Sequence, residues 1–233
     1  KALKQLTPPR QGWQNTGFST TFSFPPTKAK IFRFEWTPEG SEPGAEDLDA
    51  AKWKPVFRMK DLRICTLPAL DNWEGKAGYV WRCAPSTPAE DLSKPNCAYV
   101  PDMVQSTMKG DMVNIDLIGG TYRILRMGYT STGQTNATAG GGKGLECDKF
   151  SEAAVAKQVK NWFGQFLKRP HANVVKYLHV DSWECGSQNW TKNFPAEFQR
   201  RRGYDLLPWL PIMAGIPMRS LDKSEQVLRD VRQ

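Results

Sequence analysis

The chain of 233 residues contains little of what several common kinds of site require. It has two histidines, and its five cysteines form no CxxC pair and show no regular spacing. Since structural zinc sites use closely spaced Cys and His ligands, no zinc centre is expected. No apolar run approaches the roughly 20 residues that a membrane-spanning helix needs, so no membrane span is expected. Gly140–Gly142 lack the lysine and serine of a phosphate-binding loop and predict a flexible loop instead.

The net charge of +8 allows two kinds of polyanionic partner, nucleic acids and acidic polysaccharides. The basic residues are scattered along the chain, except in the run Arg200-Arg201-Arg202, which is most simply a solvated helix face. No signature of an RNA- or DNA-binding fold accompanies them. Nucleic acid is therefore not expected as a partner.

The cysteines and the chain ends give expectations about disulfide formation, export and the length of the parent protein. Cys83 and Cys97 flank a proline-rich loop and are able to form a disulfide if the protein is exported. Cys147 and Cys185 lie beside candidate carboxylates, where buried structural thiols are a simpler interpretation than nucleophiles. The chain starts without methionine or a signal peptide and ends inside a predicted helix, so we expect a piece of a longer protein.

The predicted fold is α/β. Residues 1–120 contain short segments in which aromatic or aliphatic residues alternate with polar ones, which predicts an irregular β-rich region. Residues 121–233 predict the order strand, helix, strand, helix, with the apolar residues of the first helix in the core. The predicted elements are strands at 122–129 and 174–181, helices at 151–168 and 195–202, and a last helix from Ser224. This order predicts a right-handed parallel βαβα unit.

The predicted strand at 174–181 ends in a cluster of acidic and aromatic residues. The carboxyl ends of parallel strands are where barrel and open α/β enzymes place their active sites. Glu184 is a candidate general acid, since the neighbouring Trp183 can raise its pKa by desolvation. Alternatively, Glu184 is a surface loop residue or an ion-pair partner. Asp181 is able to bind a sugar hydroxyl, bind a metal or cap the loop.

Three further residues are candidates for the same site. Trp190 is either a platform for a sugar ring or an anchor for its loop. Glu146 and Asp148 follow the passage from the first predicted strand and precede the helix at 151–168. A carboxylate near the start of a helix stabilises the helix N-terminus. This interpretation suits Asp148 better than Glu146. Carboxylates together with indole faces indicate carbohydrate chemistry.

Several motifs occur in the order found in glycoside hydrolase family 106, and the chain resembles that family over roughly residues 55–233. No such motif occurs in the first fifty residues. The motifs are NWEGKAGY at 72–79, YRILR at 122–126, GYTSTGQTN at 128–136, GLECDK at 144–149, DSWE at 181–184, QNWT at 188–191, Glu197-Phe198, RRGYD at 201–205, Pro208 and Leu210-Pro211.

The resemblance implies an α-L-rhamnosidase, in a family of large bacterial enzymes that act on plant polysaccharides and glycosides. It implies a catalytic (β/α)8 barrel with β-rich insertions, truncated here at the C-terminus, an inverting mechanism, bound calcium with unknown ligands, and a periplasmic or secreted location. The family's general acid is carried onto Glu184, with Asp181, Glu146, Trp183 and Trp190 shaping the sugar subsite. The general base is expected beyond Gln233, in the remainder of the polypeptide, so this piece would be inactive alone. The alternative is a noncatalytic carbohydrate-binding fragment.

Overall fold

The computed structural model describes the chain as a set of helices joined by irregular segments. The helices are α1 (Trp73–Lys76), α2 (Glu152–Asn161), α3 (Phe163–Leu167), α4 (Phe194–Arg202) and α5 (Leu221–Arg232), with 3₁₀ segments at Ala89–Asp91, Gly140–Gly142, Ala172–Val174 and Leu207–Ala214. The structure describes residues 2–6, 18–36, 59–80, 85–92, 119, 123–136, 140–170, 172–181, 183 and 186–233. Cys83 and Cys97 lie outside these residues.

The α/β prediction is wrong for these residues. The described ranges contain no β-strand, and their β-type pairing is a single antiparallel bridge between Thr135 and Leu145. Residues 175–180 form no regular secondary structure, and Tyr177 is 94% exposed and Val180 is 82% exposed. A strand exists only where a neighbouring chain segment accepts and donates its main-chain hydrogen bonds. Apolar composition indicates that a segment prefers an extended backbone, but it does not show that a neighbouring segment is present to form these hydrogen bonds.

The same correction applies to the other predicted strands in the described residues. Residues 123–129 form no ladder, and Ile124 is 75% exposed. The βαβα order and the (β/α)8 barrel are therefore not present in the described part of the chain. The division into two regions at residue 120 stays a prediction.

The helix predicted at 151–168 is present but is divided into α2 and α3 at Trp162. Ser151 caps α2 by accepting a hydrogen bond from the Ala154 main-chain N–H at 3.3 Å. The apolar stripe of this helix pair does not enter the core, since Trp162 is 52% exposed and Leu167 is 57% exposed. The prediction of core packing for this stripe is therefore wrong.

The helices α4 and α5 have well-defined ends. Gly203 ends α4 with a left-handed φ of 78°, and its N–H donates to the Gln199 carbonyl at 2.8 Å. The helix α5 begins at Leu221, three residues before its predicted start at Ser224, because Ser220 is the cap. Ser224 lies buried inside the helix, where its hydroxyl donates to the main chain of Met218 and Ser220.

The core lies between α1, α4, α5 and the 3₁₀ segment Leu207–Ala214. Its members are fully or almost fully buried apolar side chains, and partly buried aromatic residues including Trp73, Trp190 and Phe194 pack against it. They are Leu70, Ala77, Phe198, Leu206, Trp209, Ile212, Met213, Met218, Val227 and Leu228. The core thus belongs mainly to the C-terminal third of the chain, and Leu70 and Ala77, on either side of α1, are its members from the N-terminal half.

A buried polar network joins the N-terminal segment to the residues before α1. The Lys4 ammonium contacts Asp71 and Asp91 at 2.9 Å each. Burial alone would raise the pKa of Asp71, but hydrogen bonds from Lys4 and from the Ser23 main chain lower it overall. The network therefore keeps Asp71 ionised in a nearly dry position.

No helix among the described residues combines the length and the apolar composition that crossing a membrane would require.

Two glycines with the same backbone conformation give a stability prediction. Gly215 and Gly203 have φ of 79° and 78°, but an added Cβ would lie 2.4 Å from Trp73 at Gly215 and meet nothing within 4 Å at Gly203. Gly203→Ala should cost about 1 kcal/mol, the strain of a left-handed alanine. Gly215→Ala should cost about 1–3 kcal/mol more, because the Trp73 indole must move within a packed core. Urea denaturation would measure both, and equal losses would contradict the contact with Trp73.

Candidate functional site

Three segments separated in sequence meet at the candidate site: residues 134–136, residues 144–151, and Trp183 with residues 186–191. The first two run antiparallel around the Thr135–Leu145 bridge. The Glu146 N–H donates to the Gln134 carbonyl at 3.0 Å, and the Asn136 N–H donates to the Gly144 carbonyl at 3.0 Å. The Asn136 side chain closes the glycine loop by accepting from the Gly144 N–H. The result is that Glu146 has a fixed main-chain position.

Asp148 joins the second segment to the third. Its carboxylate accepts hydrogen bonds from the Gln188 amide, from the Thr191 hydroxyl at 2.6 Å and from the Phe150 main-chain N–H at 3.0 Å. Its main-chain carbonyl accepts from the Ser151 N–H at 3.1 Å. Asp148 therefore orders the turn before α2 and also binds residues about forty positions away in the chain.

Gln188 makes the reciprocal contacts. Its amide nitrogen donates to Asp148 and to the Trp190 carbonyl at 3.2 Å, and its amide oxygen accepts from the Lys149 N–H at 3.1 Å. Both donors and the acceptor of this amide are thus used. The residue is bound on one side to the turn before α2 and on the other to its own segment.

Lys149 lies between a carboxylate and an indole. Its ammonium is 2.7 Å from a Glu146 carboxylate oxygen and 5.0 Å from the centre of the Trp183 ring. The side chains of Lys149 and Glu146 are 24% and 20% exposed, so this ion pair is only partly screened by water. The cation holds Glu146 and Trp183 on the same side of the site.

The third segment is held close to the first. The Trp183 indole N–H donates to the Gly186 carbonyl at 2.9 Å. Gly186 is buried and has φ of 74°, and an added Cβ would lie 3.0 Å from the Gln134 side chain. A residue with a Cβ would therefore be strained by the left-handed backbone here and would have to displace the Gln134 side chain.

Aromatic rings connect the site to the core. Phe150 lies 5.6 Å from Trp183 and 6.2 Å from Phe194, and Trp190 lies 5.1 Å from Phe194, all between ring centroids. Trp183 is 38% exposed, whereas Trp190 is half-buried against the core. Trp183 thus offers open ring surface, and the packing of Trp190 favours a loop anchor over a platform.

A further contact ties the third segment to α1. The Asn189 amide donates to the Ala77 carbonyl at 2.9 Å, and Gly78, with φ of 73°, would place a Cβ 3.1 Å from the Asn189 Cβ. Burial raises the pKa of the adjacent Tyr79 despite its hydrogen bond with Asn189. The residues at 72–79 therefore support the site from the core side.

The predicted site residues fall into three groups. Glu146, Trp183 and Trp190 belong to one assembly organised around Asp148, Lys149 and Phe150. The Asp181 carboxylate lies 3.4 Å from the His179 Nε2, and the two side chains are 80% and 82% exposed. Glu184 lies outside the described residues, so its role as the acid stays a prediction.

The structure also identifies site residues that the sequence pattern did not. Gln188 and Thr191 lie in the QNWT motif, and the sequence predicted no role in the site for either side chain, but the Thr191 hydroxyl donates to Asp148. Asn193 occupies the cap position of α4 without a side-chain hydrogen bond. Contacts spanning about forty residues leave no local signal, so composition and spacing could not reveal them.

The described residues do not provide a calcium site. No group of three or more His, Cys, Asp or Glu side chains among them is arranged to hold a metal ion. Calcium prefers six to eight oxygen ligands with several carboxylates. Asp148 already accepts three hydrogen bonds, and Glu146 is paired with Lys149.

The hydrogen bonds of Asp148 give a pH prediction. Burial would raise the pKa of this carboxyl, but hydrogen bonds from Thr191, Gln188 and the Phe150 N–H lower it below the ordinary value of 3.8. A depressed native pKa contributes stability above pH 3.8 that is lost as the pH falls through the native pKa. Asp148→Asn should therefore flatten the acid limb of the unfolding free energy below pH 3.8, as measured by urea denaturation across that range. An unchanged acid limb in the variant would contradict the assignment.

Carboxylates, amides and an open indole face, gathered on a helical core, match the class of the glycoside hydrolases, and a family model of that class matches residues 5–233. The chain belongs to glycoside hydrolase family 106, whose model is described as α-L-rhamnosidase. This confirms the resemblance drawn from the motifs and extends it into the first fifty residues, where no motif was found.

Two relatives match part of the chain. A Formosa agariphila protein named "Putative beta-glucuronidase" is 39% identical over 121 residues, which are 48% of this chain and 10% of that protein. The solved rhamnosidase from Novosphingobium sp. PP1Y is 35% identical, with a TM-score of 0.38, and the match covers 42% of this chain and 10% of that one. The chain thus spans about a tenth of each relative's length.

Proposed function

We propose that the chain is part of an inverting α-L-rhamnosidase that hydrolyses terminal α-L-rhamnosides of plant polysaccharides or glycosides. The observation that carries the proposal is the assembly of Glu146, Trp183 and Trp190 around Asp148 and Lys149, in a chain of family 106. The assembly combines charged and amide hydrogen-bonding groups with an open indole face, and these suit the hydroxyls and the apolar face of a sugar ring.

Glu184 is the general acid in this proposal. It protonates the glycosidic oxygen as the bond to the sugar breaks, while a water molecule activated by a second carboxylate attacks from the opposite face. Family membership and the DSWE motif support this role. Asp181, Glu146, Trp183 and Trp190 shape the subsite. Glu146 is suited to accepting hydrogen bonds from sugar hydroxyls, because its contact with Lys149 orients the carboxylate.

The general base is placed outside residues 1–233, in the remainder of the full-length protein, meaning the complete translation product that contains this chain. Residues 1–233 alone should therefore not hydrolyse a rhamnoside, whereas the full-length protein should. Hydrolysis of 4-nitrophenyl α-L-rhamnoside by both proteins measures this. Turnover by the isolated chain would place both carboxylates within it.

The sugar specificity and the stereochemistry are tested on the full-length protein. It should hydrolyse 4-nitrophenyl α-L-rhamnoside in preference to the matching β-D-glucuronide, which the name of the Formosa relative makes the relevant competitor. Proton NMR should show β-L-rhamnose as the first product, since inversion of an α-linkage gives the β-anomer. First release of the α-anomer would contradict inversion. Binding of rhamnosides without turnover would favour the noncatalytic alternative.

Bound calcium and export are part of the same proposal. Family resemblance supports calcium, but the described residues supply no ligand set, so no catalytic step is assigned to the ion. Chelation by EGTA should lower the melting temperature of the full-length protein, and added calcium should restore it. We place the protein in the bacterial periplasm or outside the cell, where plant glycans are accessible, and a cleavable leader on the full-length gene product would support this.

A further inference from the structure

We propose that Asp148, Gln188 and Thr191 form a positioning clamp that fixes the chain on both sides of Glu184 for proton donation. The inference rests on the proposed role of Glu184 as general acid. None of the three residues is assigned a catalytic contact with the substrate. Their role is to hold residues 188–191 against the turn before α2.

The clamp has complete and directional hydrogen bonding. The Gln188 amide nitrogen donates to Asp148 and to the Trp190 carbonyl, and its amide oxygen accepts from the Lys149 N–H. Asp148 accepts from Gln188 and Phe150 on one oxygen and from the Thr191 hydroxyl on the other. Thr191 itself is buried. Bonds to an ionised carboxylate are stronger than neutral ones, so the two segments have one favoured alignment.

The other end of the segment is held independently. Trp183 precedes Glu184 in the sequence, and Gly186 follows it by two residues. The Trp183 indole N–H donates to Gly186, Gly186 contacts Gln134, and Lys149 lies over the Trp183 ring. Lys149 also donates its main-chain N–H to Gln188, so one residue links the clamp to the indole.

A role confined to helix stability explains these contacts poorly. Ser151 already caps α2, and the helix needs no second side-chain cap from Asp148. Gln188 and Thr191 lie outside any helix and make polar rather than apolar contacts with the turn. What the clamp determines is the position of Gln188 and Thr191, which follow Glu184 in the sequence. Misplacement of a reacting group by about 1 Å can reduce a rate about 10²-fold.

The test is the dependence of the rate on the leaving group in the full-length protein. Rhamnosides with a good leaving group, such as 2,4-dinitrophenolate, need little help from an acid, whereas methyl or phenyl rhamnosides need it fully. Asp148→Asn should lower kcat/KM for the poor leaving groups about 10- to 100-fold and for the good one by less than about 3-fold, in proportion to the loss of positioning.

Thr191 gives the matched pair of variants. Thr191→Val removes the hydroxyl but keeps the shape, and should show the same selective loss as Asp148→Asn to a smaller degree. Thr191→Ser keeps the hydroxyl and should restore the poor-leaving-group rate. Tyr204→Phe, which removes a hydrogen bond of 2.7 Å to Asp230 in α5, controls for loss of stability alone. It should leave the leaving-group dependence unchanged.

Each result decides the inference. Losses in Asp148→Asn that are equal for good and poor leaving groups, or wild-type rates in that variant, would overturn the clamp. If Glu184→Gln itself shows no selective loss, the proposed acid is wrong and the clamp falls with it. A full-length protein without rhamnosidase activity would instead refute the proposed function. The three failures are thus distinguishable on the same substrates.

Discussion

Glu184→Gln in the full-length protein is expected to lower kcat/KM for rhamnosides with poor leaving groups by about 10²–10⁴-fold, the usual contribution of a general acid. The amide keeps the shape of the carboxyl group but has no acidic proton to donate. A 2,4-dinitrophenyl rhamnoside should be much less affected, because its leaving group departs as a stable anion. Steady-state kinetics on the two substrate types measures the difference.

The pH dependence separates loss of the acid from general damage. In wild type, the alkaline limb of kcat/KM reports deprotonation of the acid, and this limb should disappear in Glu184→Gln. Glu146→Gln is the matched comparison, since it changes another carboxyl of the same site. It should raise KM through the sugar subsite but keep the alkaline limb. Full activity of Glu184→Gln on a methyl rhamnoside would remove Glu184 from the mechanism.

Local rules predicted the helices and some of their ends. Ser151 has a hydroxyl that fits the first turn of α2, and Gly203 adopts the left-handed conformation that ends α4. These outcomes depend on residues within one or two turns of each other. The α5 start was misplaced because Ser220 and Ser224 are both competent caps, and tertiary contacts bury the second.

The sheet was predicted wrongly because it was inferred from hydrophobic patterns, whereas the helix ends were inferred from local hydrogen-bonding residues. Tyr177 and Val180 have the composition of a buried strand, yet both are largely exposed in the described chain. The apolar stripe of α2 and α3 is exposed in the same way. A hydrophobic pattern states which face prefers burial, but the partner that buries it is set by distant residues.

The sequence predicted side chains of the candidate site, but it did not predict the hydrogen bonds that hold them in place. Trp183 and Glu146 were singled out as carbohydrate-binding side chains, and the structure brings both to Lys149. The link through Gln188 and Asp148 depends on side-chain geometry across forty residues and has no spacing rule. Motif order carried the family assignment, whereas the physical reason for those motifs appears only in the contacts.

Glu225→Gln is expected to destabilise the fold by about 3 kcal/mol, because it leaves the buried Lys76 ammonium without a counter-charge. The side chains of Lys76 and Glu225 are 1% and 6% exposed and lie 2.9 Å apart. Burial lowers the pKa of Lys76, with the hydrogen bond from its ammonium to Glu225 acting in the opposite direction. Glutamine retains an oxygen that can accept from the Thr87 N–H and hydroxyl, which both donate to Glu225. The variant therefore removes mainly the charge.

The comparison variants isolate the ion pair. Lys76→Met combined with Glu225→Gln should recover much of the stability, since no buried charge remains, and a double-mutant cycle gives the coupling energy. Glu197→Gln, in the exposed pairs with Arg200 and Arg201, should change stability little.

The pKa of Lys76 also predicts how stability depends on pH. In the folded state this pKa lies below 10.5, the ordinary value that applies to the unfolded state. Between the folded-state pKa and pH 10.5 the folded state binds fewer protons than the unfolded state, so the free energy of unfolding should rise with pH in that range. Urea denaturation followed by tryptophan fluorescence measures each term. If the stability losses of the two single variants simply added in the double variant, Lys76 and Glu225 would not be coupled. The contact between α1 and α5 would then depend on the surrounding apolar core rather than on this ion pair.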